Sequence, residues 1–404
     1  MLQADFKEEF VRKYILAAVE ARAEHALGFG VSPELHKDAT AEAHWVLESL
    51  LKQAYQQGFP GAIHFAIEAV NLAGGMATDI VMLARTSAYC VCKIHNDGSL
   101  AEQLKALLNV TRNDALPAKY RDLFPLVYAW KLESKPYAYL MEYFPGSEFA
   151  SLADHLFSKQ TNVYLFANHL NSVIQELFRD TVSALIKPNA EELYLSRIEK
   201  RMRLAYELDT ELAHLGEATI NVNGTALRPW RQCLDEIRPV VRGMEPGFVT
   251  FVHGDLHPGN VLLRLGENSV QFKLIDPKGW LLGDYIGDVA KLTHYVKYTG
   301  PVENREPKLK VVIDNADGVS VVEYEINQSE SSKSFFSGLI NSFSTFARGL
   351  RDEHWEDRLL LAEASNLLGL PFLRLRKLRR TEAIIFFCEG LRLLNELTET
   401  LKRS

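Results

Sequence analysis

The segment from Phe248 to Gly279 constrains the fold more than any other part of the chain. FVTFVHGDLHPGNVLLR reads as a strand, a polar loop and a second strand, and VQFKLIDPKG follows as a short strand ending in a loop. Pro258 and Gly259 turn the first loop tightly. One loop therefore delivers Asp255 and, five residues later, Asn260, and the end of the next strand delivers Asp276. Helical patterns lie on both sides of this segment, so the host fold mixes helices with short strands.

These three residue types suit one chemistry. Moving a phosphoryl group needs a positioned hydroxyl, cations that bridge the phosphates, and ligands for those cations. Asp255 can orient a hydroxyl or accept its proton, Asn260 offers a neutral oxygen to a magnesium ion, and Asp276 offers a carboxylate. Magnesium takes few carboxylates and keeps phosphate oxygens and water. An Asp with an Asn five residues on also occurs in ordinary structural turns. The strand-loop-strand-Asp order favours the functional reading.

The periodicity divides the chain into three parts. Residues 1–60 read as a helical extension: Phe6, Phe10, Tyr14, Ala17 and Ala21 recur at helical spacing, and a second helix over about 38–57 places Val46, Leu47, Leu50, Leu51 and Ala54 on one face. The apolar faces suit packing or a homodimer. Residues 61–145 read as a small sheet: AIHFAIEAV, DIVMLAR, AYCVCKIH and AYLMEYF are strands, with one helix near Leu100 to Asn109. Residues 146–404 are mainly helical, with helices expected near 161–186, 191–215, 226–243, 285–296 and through a leucine-rich tail. A β-hairpin, split at Asn315-Ala316-Asp317-Gly318, is inserted at 301–334 and is expected as a surface excursion.

The motifs resemble those of the aminoglycoside phosphotransferase and choline kinase family, relatives of the protein kinases, over about residues 65–300. The family's catalytic loop is His-x-Asp with Asn five positions after the Asp, and His253, Asp255 and Asn260 match it. The resemblance implies an α+β, two-lobed protein-kinase-like fold, with a small β-rich N-lobe and a large mainly helical C-lobe. It implies Asp255 as catalytic base, His253 as support for the loop, and Asn260 and Asp276 as magnesium ligands. IDPKGW looks most like the streptomycin-kinase branch, and Asp284 and Asp288 match a downstream acidic pair expected to brace the loop.

The same resemblance places nucleotide binding in residues 61–145. NLAGGMATDIV matches the phosphate loop, with Gly74 and Gly75 letting the backbone approach the phosphates and Thr78 adding a hydroxyl. The loop departs from many relatives, which carry Ser-Asn where this chain has Ala77-Thr78-Asp79. Lys93 falls where the phosphate-binding strand lysine belongs, with Glu102 its expected ion-pair partner. YLMEYFPG matches the hinge, where backbone groups of Glu142 and Phe144 would meet an adenine edge. Protein kinases place a lysine two residues after the catalytic Asp, where this chain has His257. Lys278 either supplies that positive charge or pairs with Asp284 or Asp288.

The expected activity is ATP- or GTP-dependent, Mg2+-dependent transfer of the γ-phosphate to a hydroxyl of a small sugar, amino sugar or aminocyclitol. A transferase acting on a macromolecule and a non-catalytic binding protein on the same fold are the alternatives. Glu363, Glu382 and Glu389 are either acceptor contacts or solvated helix faces. A formal net charge of -7 argues against nucleic acid as a partner. The dense basic run Arg374 to Arg380 reads as a solvated helix face. Four cysteines with no disulfide framework, and no apolar run of membrane-spanning length, lead to the expectation of a cytoplasmic protein with no membrane partner.

Overall fold

The computed structural model describes residues 45–403 apart from 55, 57–65, 72–79, 86–88, 96–98, 113–115, 158–163, 267–268, 279–281, 305–306 and 314–317. The chain forms two compact units: residues 1–149 with 273–279, and residues 150–272 with 280–404. The division after Phe149 compares with an expected boundary at Pro145-Gly146.

In the first unit, helix α1 spans residues 45–54 and buries the face of Val46, Leu47, Leu50, Leu51 and Ala54. Gln53 Oε1 accepts the Trp130 N–H at 3.1 Å, and the expected helix carrying Phe6, Phe10 and Tyr14 lies outside the described residues. The sheet is antiparallel: β1 (Ala66–Asn71), β2 (Ile80–Arg85), β3 (Tyr89–His95), β4 (Val127–Lys131) and β5 (Tyr137–Glu142), in the order β1-β2-β3-β5-β4. Four strands were expected; β4 is the fifth. Helix α2 (Ser99–Arg112) buries Leu100, Leu104, Leu107 and Val110 at a 3–4 residue spacing. Strand β3 carries Cys90 and Cys92 on one buried face, and all four cysteines are buried free thiols. Burial pushes the Cys90 thiol up to about 12, as expected of an apolar filler. Residues 273–279 join this unit through local bonds: Leu274 N–H to Leu123 O, 2.6 Å, and Lys273 Nζ to Asp122 O, 2.8 Å.

The second unit contains β6 (Ala150–Ser151), α3 (Leu152–Phe157), α4 (Tyr164–Asp180), α5 (Arg197–Tyr206) and α6 (Thr210–Glu217). Next come β7 (Ile220–Val222), β8 (Thr225–Leu227), α7 (Trp230–Ile237), β9 (Thr250–Phe251), β10 (Val261–Leu265), β11 (Val270–Leu274, of which Lys273 and Leu274 count with the first unit), β12 (Leu282–Gly283) and α8 (Tyr285–His294). The chain ends with β13 (Leu309–Val312), β14 (Ser320–Tyr324), α9 (Glu330–Gly349), α10 (Trp355–Leu375) and α11 (Arg380–Arg403). Helix α10 packs against α5, α8 and α11 and is buried on nearly every side, so it forms the axis of this unit.

The insertion at 301–334 is not a surface excursion. β13 and β14 pair as a hairpin, and β14 also pairs in parallel with β7, giving a four-stranded sheet β13-β14-β7-β8. Tyr324 anchors it, its hydroxyl donating to Glu389 Oε1 at 2.9 Å. The β7–β8 hairpin falls between the helices expected near 191–215 and 226–243. It turns at Asn223-Gly224, with φ of 49° and 84°, the pair of left-handed residues that a type I′ turn requires.

Candidate functional site

In the second unit His253, Asp255 and Asn260 lie on the loop and short turn between β9 and β10. Gly254 has φ 79°, a left-handed backbone that favours glycine and turns the chain sharply after His253. The loop is clamped from α8. Asp288, in the first turn of that helix and 1% exposed, accepts the N–H of His253 at 2.6 Å and of Gly254 at 2.8 Å. Burial pushes the Asp288 carboxyl up to about 7, and Asp255 adds to this, while the two backbone N–H groups and Lys291 oppose it.

Within the loop, His253 Nδ1 accepts the Asp255 N–H at 3.3 Å, and the Asp255 carbonyl accepts both the His257 N–H (2.8 Å) and Asn260 Nδ2 (2.9 Å). Asn260 is thus folded back on the backbone of Asp255. His257 Nδ1 accepts the Gly259 N–H at 3.1 Å, and a Cβ at Gly259 would stand 2.8 Å from His257 Cε1, so glycine is required there by close approach. The His257 ring stacks on Tyr295, centroids 5.6 Å apart.

The Asp255 carboxylate is 21% exposed and forms an ion pair with Lys291 at 3.0 Å. Lys291 is on α8, one turn after Asp288, so one helix supplies both the clamp and the cation. The sequence reading missed Lys291; the only signal was its spacing of three from Asp288, which puts both on one helix face. Asp284 caps α8, accepting the Ile286 N–H at 3.1 Å, and receives the Tyr194 hydroxyl and Arg358 Nε, each at 2.9 Å. Arg358 also bonds Asp352, so a fully buried arginine joins α8 to α10.

In the first unit, Lys93 on β3 is 7% exposed and bonds the carboxylate of Asp276. Burial alone would lower the Lys93 pKa, but Asp276 and Tyr139, its cross-strand neighbour, outweigh that and raise it. Asp276 has φ 58°, unusual for a non-glycine residue and more so before a proline, a form of strain that concentrates at functional positions. The expected Lys93–Glu102 pair is corrected here. The α2 face that buries Leu100, Leu104 and Leu107 turns Glu102 outward, where it is exposed.

Glu142 ends β5, and its N–H is taken by Leu126 O at 2.8 Å. Phe144 is buried beneath Lys273, 5.0 Å from its ring, and among the described residues nothing accepts the Phe144 N–H. Gly74, Gly75 and Thr78 lie outside the described residues. Lys278 is half-buried, two residues after Asp276. Glu363 and Glu389 are buried and Glu382 is half-buried, so none is a solvated helix face, and each is in an ion pair. They pair respectively with Lys297 (3.2 Å), with Arg374 (3.3 Å) and Arg379, and with Arg392 (2.9 Å). A surface cleft lined by Ser196, Lys200, Arg203 and Trp230 contains none of these residues.

Residues 72–306, more than half of the chain, match the model of the phosphotransferase enzyme family. The chain belongs to this family. Among solved structures, this family member is similar to a thermostable mutant of aminoglycoside phosphotransferase APH(4)-Ia, at 12% identity, over 87% of this chain and 99% of that one, with a TM-score of 0.50. It is also similar to an ethanolamine kinase of Plasmodium vivax, at 10% identity over 86% and 84% of the two chains, TM-score 0.48. A microcompartment-associated aminopropanol kinase matches at 13% identity over 86% and 97%, TM-score 0.41. At such identities the likeness concerns the fold alone, which is α+β and kinase-like. No curated protein matches the sequence. Among the described residues no helix is long and apolar enough to cross a membrane.

Proposed function

We propose that this phosphotransferase moves the γ-phosphate of a nucleoside triphosphate, ATP or GTP, to a hydroxyl of a small polyhydroxylated molecule. The observation that carries the reading is the clamped loop. Asp288 holds the backbone at His253 and Gly254, and the loop presents a partly exposed Asp255 carboxylate beside an Asn260 whose amide nitrogen is already spent on the backbone.

Each residue then has a task. Asp255 orients the acceptor hydroxyl and takes its proton as the oxygen attacks phosphorus. Lys291 keeps that carboxylate in place, and His253 supports the turn. Asn260 Oδ1 and the Asp276 carboxylate are a donor set that suits Mg2+, which takes few carboxylates along with phosphate oxygens and water. The ion, when bound, neutralises charge on the β- and γ-phosphates. Lys93, buried and charged, is suited to hold phosphate oxygens in place of its present partner. The unpartnered Phe144 N–H and the Glu142 backbone are the proposed adenine contacts, with Gly74, Gly75 and Thr78 the proposed phosphate loop. Lys278 is a second proposed cation near the transferred group. A sugar, amino sugar or aminocyclitol acceptor rests on the Asp-Pro-Lys-Gly likeness to the streptomycin-kinase branch.

A nucleotide-consumption screen over sugars, sugar acids, aminoglycosides and choline-like amines tests this, with Asp255→Asn as control. Acceptor-stimulated turnover that disappears in the control supports the reading. Turnover that survives in it removes Asp255 from its role.

A further inference from the structure

One group of cations in the second unit lacks the partners its neighbours have. Of the described arginines of this unit that are at least partly buried, Arg228, Arg238, Arg358, Arg374, Arg379 and Arg392 each reach a carboxylate, among them Arg228 with Glu236 (2.7 Å), Arg358 with Asp284 (2.9 Å) and Arg392 with Glu389 (2.9 Å), and Arg197 and Arg201 do not. The basic run of the sequence resolves the same way, since Arg374, Arg379 and Arg380 each reach a carboxylate. Its Arg376 does not. Among the described residues Arg197, Arg201 and Arg376 have no carboxylate within 4 Å.

The three lie together. Arg197 and Arg201 are one turn apart on α5. The guanidinium groups of Arg201 and Arg376 stand over the Phe372 ring at 5.6 and 5.7 Å. Arg197 is held between α5 and α10: Nη1 donates to Asn366 Oδ1 at 2.8 Å, and Nη2 packs on Gly369, where a Cβ would stand 3.5 Å away. The charges act on one another. Burial lowers the Arg197 pKa, Asp255 opposes this and Arg201 adds to it; Arg201 is lowered by burial and then by Arg376. Asp255 is the carboxylate whose charge reaches Arg197, and the exposed Arg376 shares the Phe372 ring with Arg201. Three like charges without counter-ions, two of them partly desolvated, oppose folding unless an anion completes them.

We propose that Arg197, Arg201 and Arg376 form an anion-binding track leading from Asp255, and that the acceptor is a hydroxylated molecule bearing a carboxylate or phosphate group. This rests on the phosphotransferase reading and narrows it, since a polycationic acceptor would meet repulsion along this row. Arginine suits the task, because its planar fork binds either anion with two parallel hydrogen bonds.

The test uses matched acceptors: glucose, glucosamine, gluconate and glucose 6-phosphate, with a calorimetric measurement of gluconate and 6-phosphogluconate binding to enzyme saturated with a non-hydrolysable nucleotide. An anionic member should bind or react best, and Arg201→Gln and Arg376→Gln should each raise its KM or Kd about tenfold or more while changing neutral acceptors little. Arg376 is exposed, so its substitution leaves the packing intact. Gluconate against glucose 6-phosphate separates carboxylate from phosphate. Preference for glucose or glucosamine, binding of neither anion, or anion binding indifferent to both substitutions overturns the proposal. Failure of the phosphotransferase reading would show separately, as absence of nucleotide hydrolysis dependent on Asp255.

Discussion

Lys291 Nζ lies 3.0 Å from Asp255 Oδ1, and both side chains are largely withdrawn from water. A lysine on α8 therefore provides the cation beside this carboxylate, a pairing that the sequence reading did not include. Lys291→Met should lower kcat by about 10- to 100-fold with little change in KM for nucleotide, because a misplaced catalytic group costs rate more than binding. Lys291→Arg should recover part of the loss. Steady-state kinetics of both variants checks this, and an unchanged kcat in Lys291→Met would show that Asp255 needs no such partner.

Asp288 ties stability to pH. Burial pushes its carboxyl up to about 7 in the folded protein, from an ordinary value of about 3.8. Between those values the folded state holds a proton that the unfolded state has released. The stabilising contribution is therefore complete below about pH 3.8 and is lost as pH rises through about 7. Thermal melts across this window should show a component that declines with rising pH and is missing in Asp288→Asn. Parallel pH dependences in the two proteins would contradict the assignment.

Arg358 is the structural counterpart of that clamp. It is 0% exposed and serves Asp284 and Asp352, whose side chains are 1% and 2% exposed. Arg358→Met strands two carboxylates in the interior and should cost about 3–5 kcal/mol, since breaking a buried ion pair from one side leaves an uncompensated charge. Urea unfolding measures this; a loss below about 1 kcal/mol, the range of an exposed pair, would contradict a buried network.

Lys93 and Asp276 predict a nucleotide phenotype. Lys93→Ala should weaken nucleotide binding by about 10- to 100-fold, because a buried charge partner is lost. Asp276→Asn and removal of divalent cation by chelation should each suppress turnover. Calorimetric titration of nucleotide reads the first effect, and steady-state turnover with and without Mg2+ reads the second. Equal affinity in Lys93→Ala would sink the proposed role of this lysine.

What could be read from the sequence was local in sequence. His253, Asp255 and Asn260 sit within one eight-residue loop, and the strands on either side of it are short runs with clear punctuation. Lys93 was found by its order between a glycine loop and a helix. The misses have a common cause. Lys291 meets Asp255 across 36 residues of chain, and Arg358 meets Asp284 across 74. No spacing rule links such pairs. The β7–β8 hairpin was overlooked despite a clear signal, Asn223-Gly224, because the flanking strands are only three residues each. The 301–334 hairpin was recognised but misplaced, since its parallel pairing with β7 is a long-range contact that the alternation in β14 does not encode. Glu102 was misassigned because order along the chain was used in place of helix phase.

The most direct measurement is acceptor-stimulated nucleotide turnover by the wild-type protein and by Asp255→Asn, with folding of both verified by circular dichroism. Loss of the catalytic base should lower kcat by about 10²–10⁴-fold while nucleotide affinity stays within a few-fold of wild type. A variant that turns over at the wild-type rate would contradict the assignment of Asp255 and, with it, the account of this loop as the centre of phosphoryl transfer.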